Sequence, residues 1–243
     1  MTEPQRPKLQ VRIIPVTALQ QNCSLIWNEE TKHAAFVDPG GDAEHLLGAL
    51  DHFGLKLTRM WLTHGHLDHA GAAAELRERA GVAVEGPHKD DQFWLDLIED
   101  TAQRYGVPGL RNVTPDRYFE DGDVLEFEGL RFEVSHTPGH TPGHVVICNK
   151  EMKIAFVGDV LFAGSIGRTD FPRGDMQQLI RSITTKLWPL GDDITFVPGH
   201  GPTSTFGHER RTNPFVADQI TGYAGAQTIA PDVGEQRTSK RWT

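Results

Sequence analysis

Short apolar runs of strand length recur along the chain, separated by turn residues and by a few stretches of helical periodicity. Such runs, bounded by Gly, Pro, Asn or Asp, predict buried strands. The predicted strands are residues 11–16, 24–27, 33–37, 57–62, 124–127, 131–134, 144–148, 154–157 and 194–197. The predicted helices are residues 42–53, 68–80, 90–105 and 175–187. Pro189 and Gly191 end the last helix, because neither residue continues a helical turn.

The order of these elements predicts a layered fold. Strands outnumber helices, and each strand-rich half of the chain is followed by amphipathic helices. Two packed sheets with helices on their outer faces explain this order, which indicates an α/β (α+β) fold of four αββα layers, although the pattern alone specifies only mixed layers. The 243 residues suit one large β-containing domain. We expect that domain over residues 1–222 and a mobile tail over residues 223–243, which are rich in Gly, Ala, Thr and Gln.

Charge and composition exclude several classes of function. The formal net charge of −9 disfavours a nucleic acid or an anionic membrane surface as partner, because both need a basic face. Cys23 and Cys148 each lie inside an apolar run, which predicts buried, reduced thiols. No apolar run approaches the about 20 residues that span a bilayer, and the first residues lack a secretory signal pattern. We therefore expect a cytoplasmic protein.

Histidine is the unusual component, with twelve residues of this type. Four predicted strands run directly into a Gly- or Pro-containing loop that carries side chains able to bind metals. These candidate ligands are His64, His66, Asp68, His69, His140, Asp159 and His200. If the strands present their ends on a common edge, the loops converge there, as active sites of layered folds do.

The spacing within the first loop predicts two metal ions. His64 and His66 are two residues apart in an extended segment and point to one side, so they can share an ion. Asp68 and His69 begin a helix and turn toward a second ion. The set then divides into His64, His66 and His140 for one ion and Asp68, His69 and His200 for the other, with Asp159 bridging. Nitrogen and oxygen donors with an open position are typical of catalytic sites, so we expect two divalent ions, Zn first and Fe or Mn as alternatives.

The other histidines divide into two groups. His136 and His144 each neighbour a ligand loop, and each either orients a ligand or is purely structural. The remaining five are interpreted as ordinary polar residues: His33, His45, His52, His88 and His208.

The motif His64-x-His66-x-Asp68-His69, with Thr137 to His144, Gly158-Asp159 and Pro198 to Gly201, resembles the metallo-β-lactamase superfamily. Within it, the glyoxalase II (hydroxyacylglutathione hydrolase) branch is the most similar. Residues 11–22, 164–175 and 213–215 resemble the short bacterial proteins of that type. The resemblance implies the αββα fold and a two-metal hydrolase.

The activity implied by the resemblance is hydrolysis of a small acyl-thiol substrate. A hydroxide held between two ions would attack the thioester carbonyl of a molecule such as S-lactoylglutathione. Asp68 would act as ligand and proton acceptor, and Asp159 as the bridging catalytic carboxylate. Full-length glyoxalase II enzymes also carry a C-terminal helical domain that holds glutathione, and the residues after His208 are too few for it. The identity of the thiol and the oligomeric state are therefore left open.

Residues 165–171 stand where the family has a substrate loop containing Lys and Tyr. Arg168, Phe171 and Arg173 are our candidates for contacting substrate, the two arginines through charge-assisted hydrogen bonds to an acidic group. The alternative is a structural ion pair of Arg168 or Arg173 with the nearby Asp170 or Asp175.

Three rival functions remain. Persulfide dioxygenases share the GRTDF sequence of residues 167–171 and use one iron held by residues of the His64, His140 and Asp159 type. Ile166, however, stands where those enzymes commonly have Cys, and Gly201 after His200 is typical of hydrolases. β-Lactamases are exported, and the zinc-binding ones usually have Cys at the position of Asp159. A non-enzymatic binding protein that keeps structural metals is the third alternative.

Overall fold

The computed structural model describes residues 9–222, which form two main β-sheets. In the first sheet the strands lie side by side in chain order, antiparallel from β1 to β3 and parallel from β3 to β5. These strands are β1 (Leu9–Val16), β2 (Gln21–Asn28), β3 (His33–Val37), β4 (Lys56–Trp61) and β5 (Val84–Glu85).

The second sheet has the strand order β13-β12-β9-β8-β7-β6, in which only β12 and β9 pair in parallel. Its strands are β6 (Val124–Phe127), β7 (Leu130–His136), β8 (Val145–Asn149), β9 (Ile154–Gly158), β12 (Thr195–Pro198) and β13 (Ser204–Thr205). A separate small hairpin joins β10 (Leu161–Phe162) to β11 (Ser165–Ile166). Strands β7, β9 and β12 all run in one direction, so their carboxyl ends share one edge of the sheet.

Eight α-helices accompany these sheets in the described residues. They are α1 (Ala43–Phe53), α2 (Leu67–Ala70), α3 (Ala73–Ala80), α4 (Gln92–Leu95), α5 (Ile98–Tyr105), α6 (Met176–Ser182), α7 (Phe206–Thr212) and α8 (Asp218–Thr221). A 3₁₀ turn, Lys89–Asp91, precedes α4, and a π-helical turn, Ile183–Leu187, with a 3₁₀ turn, Trp188–Leu190, continues α6.

Three apolar cores separate the layers. The middle core joins Trp61 of the first sheet to Phe132 and Phe156 of the second. One outer core packs helices α1, α3 and α5 on the first sheet, and the other packs α6 and α7 on the second. Side chains that alternate between the two faces of each strand supply both the middle and an outer core. The predicted αββα sandwich is confirmed.

Two predicted helices are divided in the structure. The helix predicted over residues 68–80 is wrong as one element: Ala72 N–H donates to the Pro39 carbonyl at 3.1 Å, and α3 starts at the next residue. The helix predicted over residues 90–105 is interrupted where Leu97 N–H donates to the Trp94 carbonyl, three residues back, at 3.0 Å. Tertiary contacts and a tighter turn therefore override the helical periodicity of the sequence.

The predicted strands are all present with small shifts at their ends, whereas several short elements were not predicted. The missed elements are β5, β10, β11, β13, α7 and α8. Cys23 and Cys148 are buried free thiols, as predicted, and burial raises the pKa of Cys148 to about 12. Within residues 9–222, none of the helices has the length and apolar character needed to cross a membrane. The predicted tail, residues 223–243, lies outside the described residues.

Candidate metal centre

The seven candidate ligands come together at the edge where strands from both sheets end. His64 and His66 follow β4, and Asp68 and His69 lie in the first turn of α2. From the second sheet come three more, each after a strand of the same direction: His140 after β7, Asp159 after β9 and His200 after β12. The structure therefore places the predicted loops next to one another, as the sequence indicates.

His64, His66 and His140 form a cluster that we call the imidazole cluster. His66 Nδ1 lies 3.1 Å from His64 Nε2 and 3.1 Å from His140 Nε2. All three residues are buried, and burial lowers the pKa of His66 to about 3, so its ring is neutral at neutral pH. The three nitrogens have the mutual spacing that the ligands of one small cation require.

The protons on the His64 and His140 rings are on the nitrogens that point away from the cluster. His140 Nδ1 lies 2.7 Å from the Arg168 carbonyl, which only accepts, so Nδ1 carries the proton. His64 Nδ1 lies 3.1 Å from Thr63 Oγ1, whose own proton goes to Asp38 Oδ2 at 2.6 Å. Nε2 of both rings is consequently unprotonated. A proton on His66 Nδ1 can be donated to only one of these two nitrogens. Without that proton, three lone pairs face one another unless a cation lies between them.

Asp68, His69 and His200 form a second group, which we call the mixed cluster. His200 Nε2 lies 3.1 Å from Asp68 Oδ2, and His69 Nε2 lies 4.0 Å from the same oxygen. Burial lowers the pKa of His69, but the carboxylates of Asp159 and Asp68 outweigh it and raise that pKa well above its usual value. This cluster therefore attracts positive charge more strongly than the imidazole cluster does.

Asp159 reaches both clusters. Its Oδ1 lies 3.4 Å from His69 Nε2, and its Oδ2 lies 3.6 Å from His140 Nε2. Burial raises its pKa, but His69 and its other imidazole neighbours lower it far more, so the carboxylate is ionised. Asp159 Oδ1 and His69 Nε2 are buried without a hydrogen bond of good geometry. Buried polar atoms of this kind fit metal ligands, because such groups otherwise nearly always have a partner.

Gly199 keeps this space open. A Cβ atom at this position would lie 2.1 Å from Asp159 Oδ1 and 2.4 Å from the His69 ring. The sequence Pro198-Gly199-His200 therefore brings backbone, instead of a side chain, against the ligands.

His144 and His136 have different surroundings. His144 Nε2 accepts the Asp159 backbone N–H at 3.0 Å, and its ring stacks on His64 at 4.6 Å. His144 thus positions one ligand and packs on another, which is the orienting alternative for this residue. His136 Nε2 donates to the Pro142 carbonyl at 2.8 Å, and its ring stacks on His88 and not on a predicted ligand.

Two buried aspartates that hold the ligand loops were not predicted. Asp38 accepts from Thr63 N at 2.7 Å and from His69 Nδ1 at 2.9 Å. Asp91 accepts from Gly65 N at 2.9 Å, from Thr141 Oγ1 at 2.7 Å and from Gly143 N. Asp38 follows a predicted strand just as the metal ligands do, and this signal could have identified it.

An aromatic wall lies over the imidazole cluster. The Phe171 ring lies 4.8 Å from that of His66 and 5.9 Å from that of Trp94, measured between centroids. Trp94 itself lies 4.6 Å from His66. Phe171, one of the predicted substrate residues, therefore packs against the imidazole cluster.

The two predicted arginines differ in their partners. Arg168 forms a bidentate ion pair with Asp170 at 2.6 and 2.7 Å, and its guanidinium also lies 4.3 Å from the Phe171 ring centroid. The structural alternative therefore describes Arg168. Arg173 stacks over Phe93 at 4.2 Å, and the described contacts give it no carboxylate partner.

A sequence model described as the metallo-beta-lactamase superfamily matches residues 16–200, which contain all seven candidate ligands. The chain belongs to the metallo-β-lactamase superfamily. The hydroxyacylglutathione hydrolase GloC of Haemophilus influenzae, also in this size range, is 52% identical over 209 residues, covering 86% of this chain and 98% of the relative.

Two solved structures show the same metallo-β-lactamase fold. BLEG-1, a B3 metallo-β-lactamase, is 36% identical with a TM-score of 0.78, covering 85% of this chain and 99% of that one. TTHA1623 in a di-iron-bound form is 36% identical with a TM-score of 0.76, covering 84% of this chain and 100% of that one. The family and these relatives make the protein a metallo-hydrolase of the metallo-β-lactamase fold, similar to glyoxalase II.

Proposed function

We propose that the protein hydrolyses the thioester of a small acyl thiol, such as S-lactoylglutathione, at a centre of two divalent ions. The position of Asp159, within 3.6 Å of a ligand nitrogen in each cluster, carries this proposal. A carboxylate with one oxygen toward each cluster is placed to bridge two ions. The name of the 52% identical GloC relative supports a hydroxyacyl thioester as substrate.

Different residues would bind the two ions and accept the proton in the reaction. The imidazole cluster would hold one ion and the mixed cluster the other, with Zn as first expectation and Fe or Mn as alternatives, Fe being supported by the di-iron TTHA1623. Two such ions supply Lewis acidity and a hydroxide nucleophile near neutral pH. Asp68, next to His200, accepts the proton from the attacking oxygen. A thiolate leaves without prior protonation, because the pKa of a thiol is only about 8.5.

The aromatic wall and Arg173 define the substrate side. Phe171 and Trp94 exclude water from one face of the imidazole cluster and offer an apolar surface to the acyl group. Arg173 has no carboxylate partner among the described contacts, so its guanidinium is available to an acidic substrate. Arg168 is already engaged by Asp170. We therefore assign binding of the substrate carboxylate to Arg173. We expect a small molecule as partner instead of a nucleic acid or a membrane.

The decisive experiment measures metal content and thiol release together. Freshly purified protein should contain about two ions per chain and release thiol from S-lactoylglutathione without oxygen, and a chelator should abolish this turnover. One iron per chain with oxygen uptake on glutathione persulfide would identify a persulfide dioxygenase instead. Faster cleavage of a β-lactam than of any thioester would assign the protein to amide hydrolysis, as the name of BLEG-1 suggests for that protein.

The variants Arg173→Ala and Arg168→Ala together test which arginine binds the substrate carboxylate. We expect Arg173→Ala to raise KM about 10-fold with little change in kcat, the scale of one lost charge-assisted hydrogen bond. Arg168→Ala should change KM by less than about 3-fold, since its charge is already paired at an exposed site. Equal effects of the two variants on KM would contradict the assignment to Arg173.

A further inference from the structure

A second group of potential metal ligands lies outside the centre, between the end of β7 and the 3₁₀ turn that precedes α4. His88, Asp90 and His136 each offer one ligand atom, and these atoms all lie within 4.8 Å of one another. The rings of His88 and His136 stack at 4.2 Å between centroids. None of these residues belongs to the imidazole cluster or the mixed cluster.

We propose that His88, Asp90 and His136 bind a third divalent cation of the borderline transition-metal class, such as Zn²⁺. Two imidazoles and a carboxylate suit Zn²⁺, Cu²⁺ or Ni²⁺ far better than Mg²⁺ or Ca²⁺, which take oxygen ligands. The site goes beyond the proposed hydrolysis and does not depend on it.

The hydrogen bonds of His136 leave one nitrogen ready for a cation. His136 Nε2 donates to the Pro142 carbonyl at 2.8 Å, so Nδ1 is the unprotonated nitrogen of the neutral ring. A histidine backed by a carbonyl in this way is typical of metal ligands, because the contact fixes both the tautomer and the ring orientation. Burial and the neighbouring His88 favour the neutral ring and lower the pKa of His136, although the Pro142 contact opposes this.

Carboxylates surround the pair of rings. His88 Nδ1 lies 3.5 Å from Asp90 Oδ2, and His88 Nε2 lies 3.4 Å from Glu120 Oε2. The Asp90 and Glu120 side chains are 59% and 72% exposed, so both can rotate toward an ion. Two basic residues bear on this site: Lys186, which is paired with Asp121 at 2.7 Å, and Lys89, which stands between His88 and Asp90 in the sequence. The carboxylates of Asp90 and Glu120 are thus the charged groups in contact with His88.

One movement is required for binding. Two nearly parallel rings do not place a single ion in both ring planes, and the interplanar angle here is 19°. His88 is the ring that turns, because both of its contacts are longer than the 2.8 Å contact of His136 with the Pro142 carbonyl. Its Nδ1 accepts the Asp90 N–H at 3.2 Å, and its Nε2 lies 3.4 Å from Glu120 Oε2. The proposal thus predicts that the stack opens when the ion binds.

The experiment compares ion counts at equal free zinc. Wild-type protein and the variants His88→Gln, His136→Gln and Asp90→Asn are dialysed against micromolar Zn²⁺, and bound zinc per chain is measured. We expect wild type to bind about one ion more than His88→Gln or His136→Gln. Asp90→Asn should weaken this ion about 10-fold or more, an effect that even outer groups of a metal site reach. The result is a difference between proteins, so it does not depend on how many ions the catalytic centre holds.

His45→Gln and His52→Gln, on α1 and away from the site, serve as controls and should leave the zinc count unchanged. A thermal shift gives a second readout, because an ion that binds only folded protein raises Tm. Added Zn²⁺ should raise Tm of metal-loaded wild type by a few degrees more than that of Asp90→Asn, whose exposed side chain is not needed for folding. Equal zinc counts in wild type and all three site variants, or equal loss in a control, would overturn the proposal.

Discussion

The imidazole cluster and the mixed cluster lie at the same edge of the fold but differ in the charge of their surroundings. His64, His66 and His140 are buried close to one another, and burial is the largest cause that lowers the pKa of each ring. In the mixed cluster, His69 and His200 face carboxylates, and the pKa of each is raised. A neutral site binds a metal by its lone pairs alone, whereas an acidic site also attracts protons, so the two clusters should differ in how they hold an ion.

Asp159 faces both clusters, so we expect its loss to have the largest effect. Asp159→Asn keeps the size of the side chain but removes the charge that faces both groups. We expect a fall in thioester turnover on the order of 10³-fold, the scale of a lost charge-stabilising group, and loss of at least one ion. Metal analysis and kcat on the same sample measure both. An Asp159→Asn protein that keeps two ions and normal turnover would show that no bridging carboxylate is needed.

Asp38 and Asp91 sharpen the comparison. Asp38 bonds directly to His69 of the mixed cluster and reaches His64 of the imidazole cluster only through Thr63, whereas Asp91 supports the loops of the imidazole cluster. Asp38 accepts from His69 Nδ1, and Asp91 fixes the backbone at Gly65, between His64 and His66, and at Gly143. We expect Asp38→Asn to weaken the mixed-cluster ion about 10–100-fold and the imidazole-cluster ion by less, and Asp91→Asn to weaken the imidazole-cluster ion about 10–100-fold. Chelator competition monitored ion by ion measures this effect. Weakening of both ions to the same degree in both variants would indicate a general loss of stability.

Lowering the pH should release the ions of the two clusters at different pH values, a smaller effect than that of the substitutions. The raised pKa values of His69 and His200 mean that these rings take up protons at a higher pH than His66, whose pKa is about 3. Protons compete with metal for the same lone pairs, so the affinity of the mixed cluster should fall first. Dialysis in steps from about pH 8 to about pH 5.5 should release one ion before the other. Release of the imidazole-cluster ion first would reverse the comparison.

The parts of this centre that the sequence predicts are those whose signal is local. His64, His66, Asp68 and His69 occupy one short loop, and the two-residue spacing of the first pair already places it on one side. His140, Asp159 and His200 were found because each follows a buried strand. These three residues come together because the strands before them run in the same direction and end at one edge of the sheet.

The parts that escaped prediction depend on contacts between distant segments. Asp91 lies 26 residues from Gly65 and 52 from Gly143, and the partners at these two glycines are backbone N–H groups that leave no pattern in the sequence. The break before α3 likewise arises from the Pro39 carbonyl, which lies far from residues 68–80 in sequence. Hydrophobic periodicity indicates which face of a helix is buried. It does not indicate that a distant carbonyl will take a backbone N–H away from the helix.

Each cluster takes donors from both sheets, and Asn22 of the first sheet is bonded through its backbone to Gly199 and through its side chain to Pro198 of the second. A fragment that ended before β6 would keep four of the seven donors and complete neither set. Metal binding would thus require both sheets to be packed in their native register, and ions bound there would hold the two halves of the sandwich together.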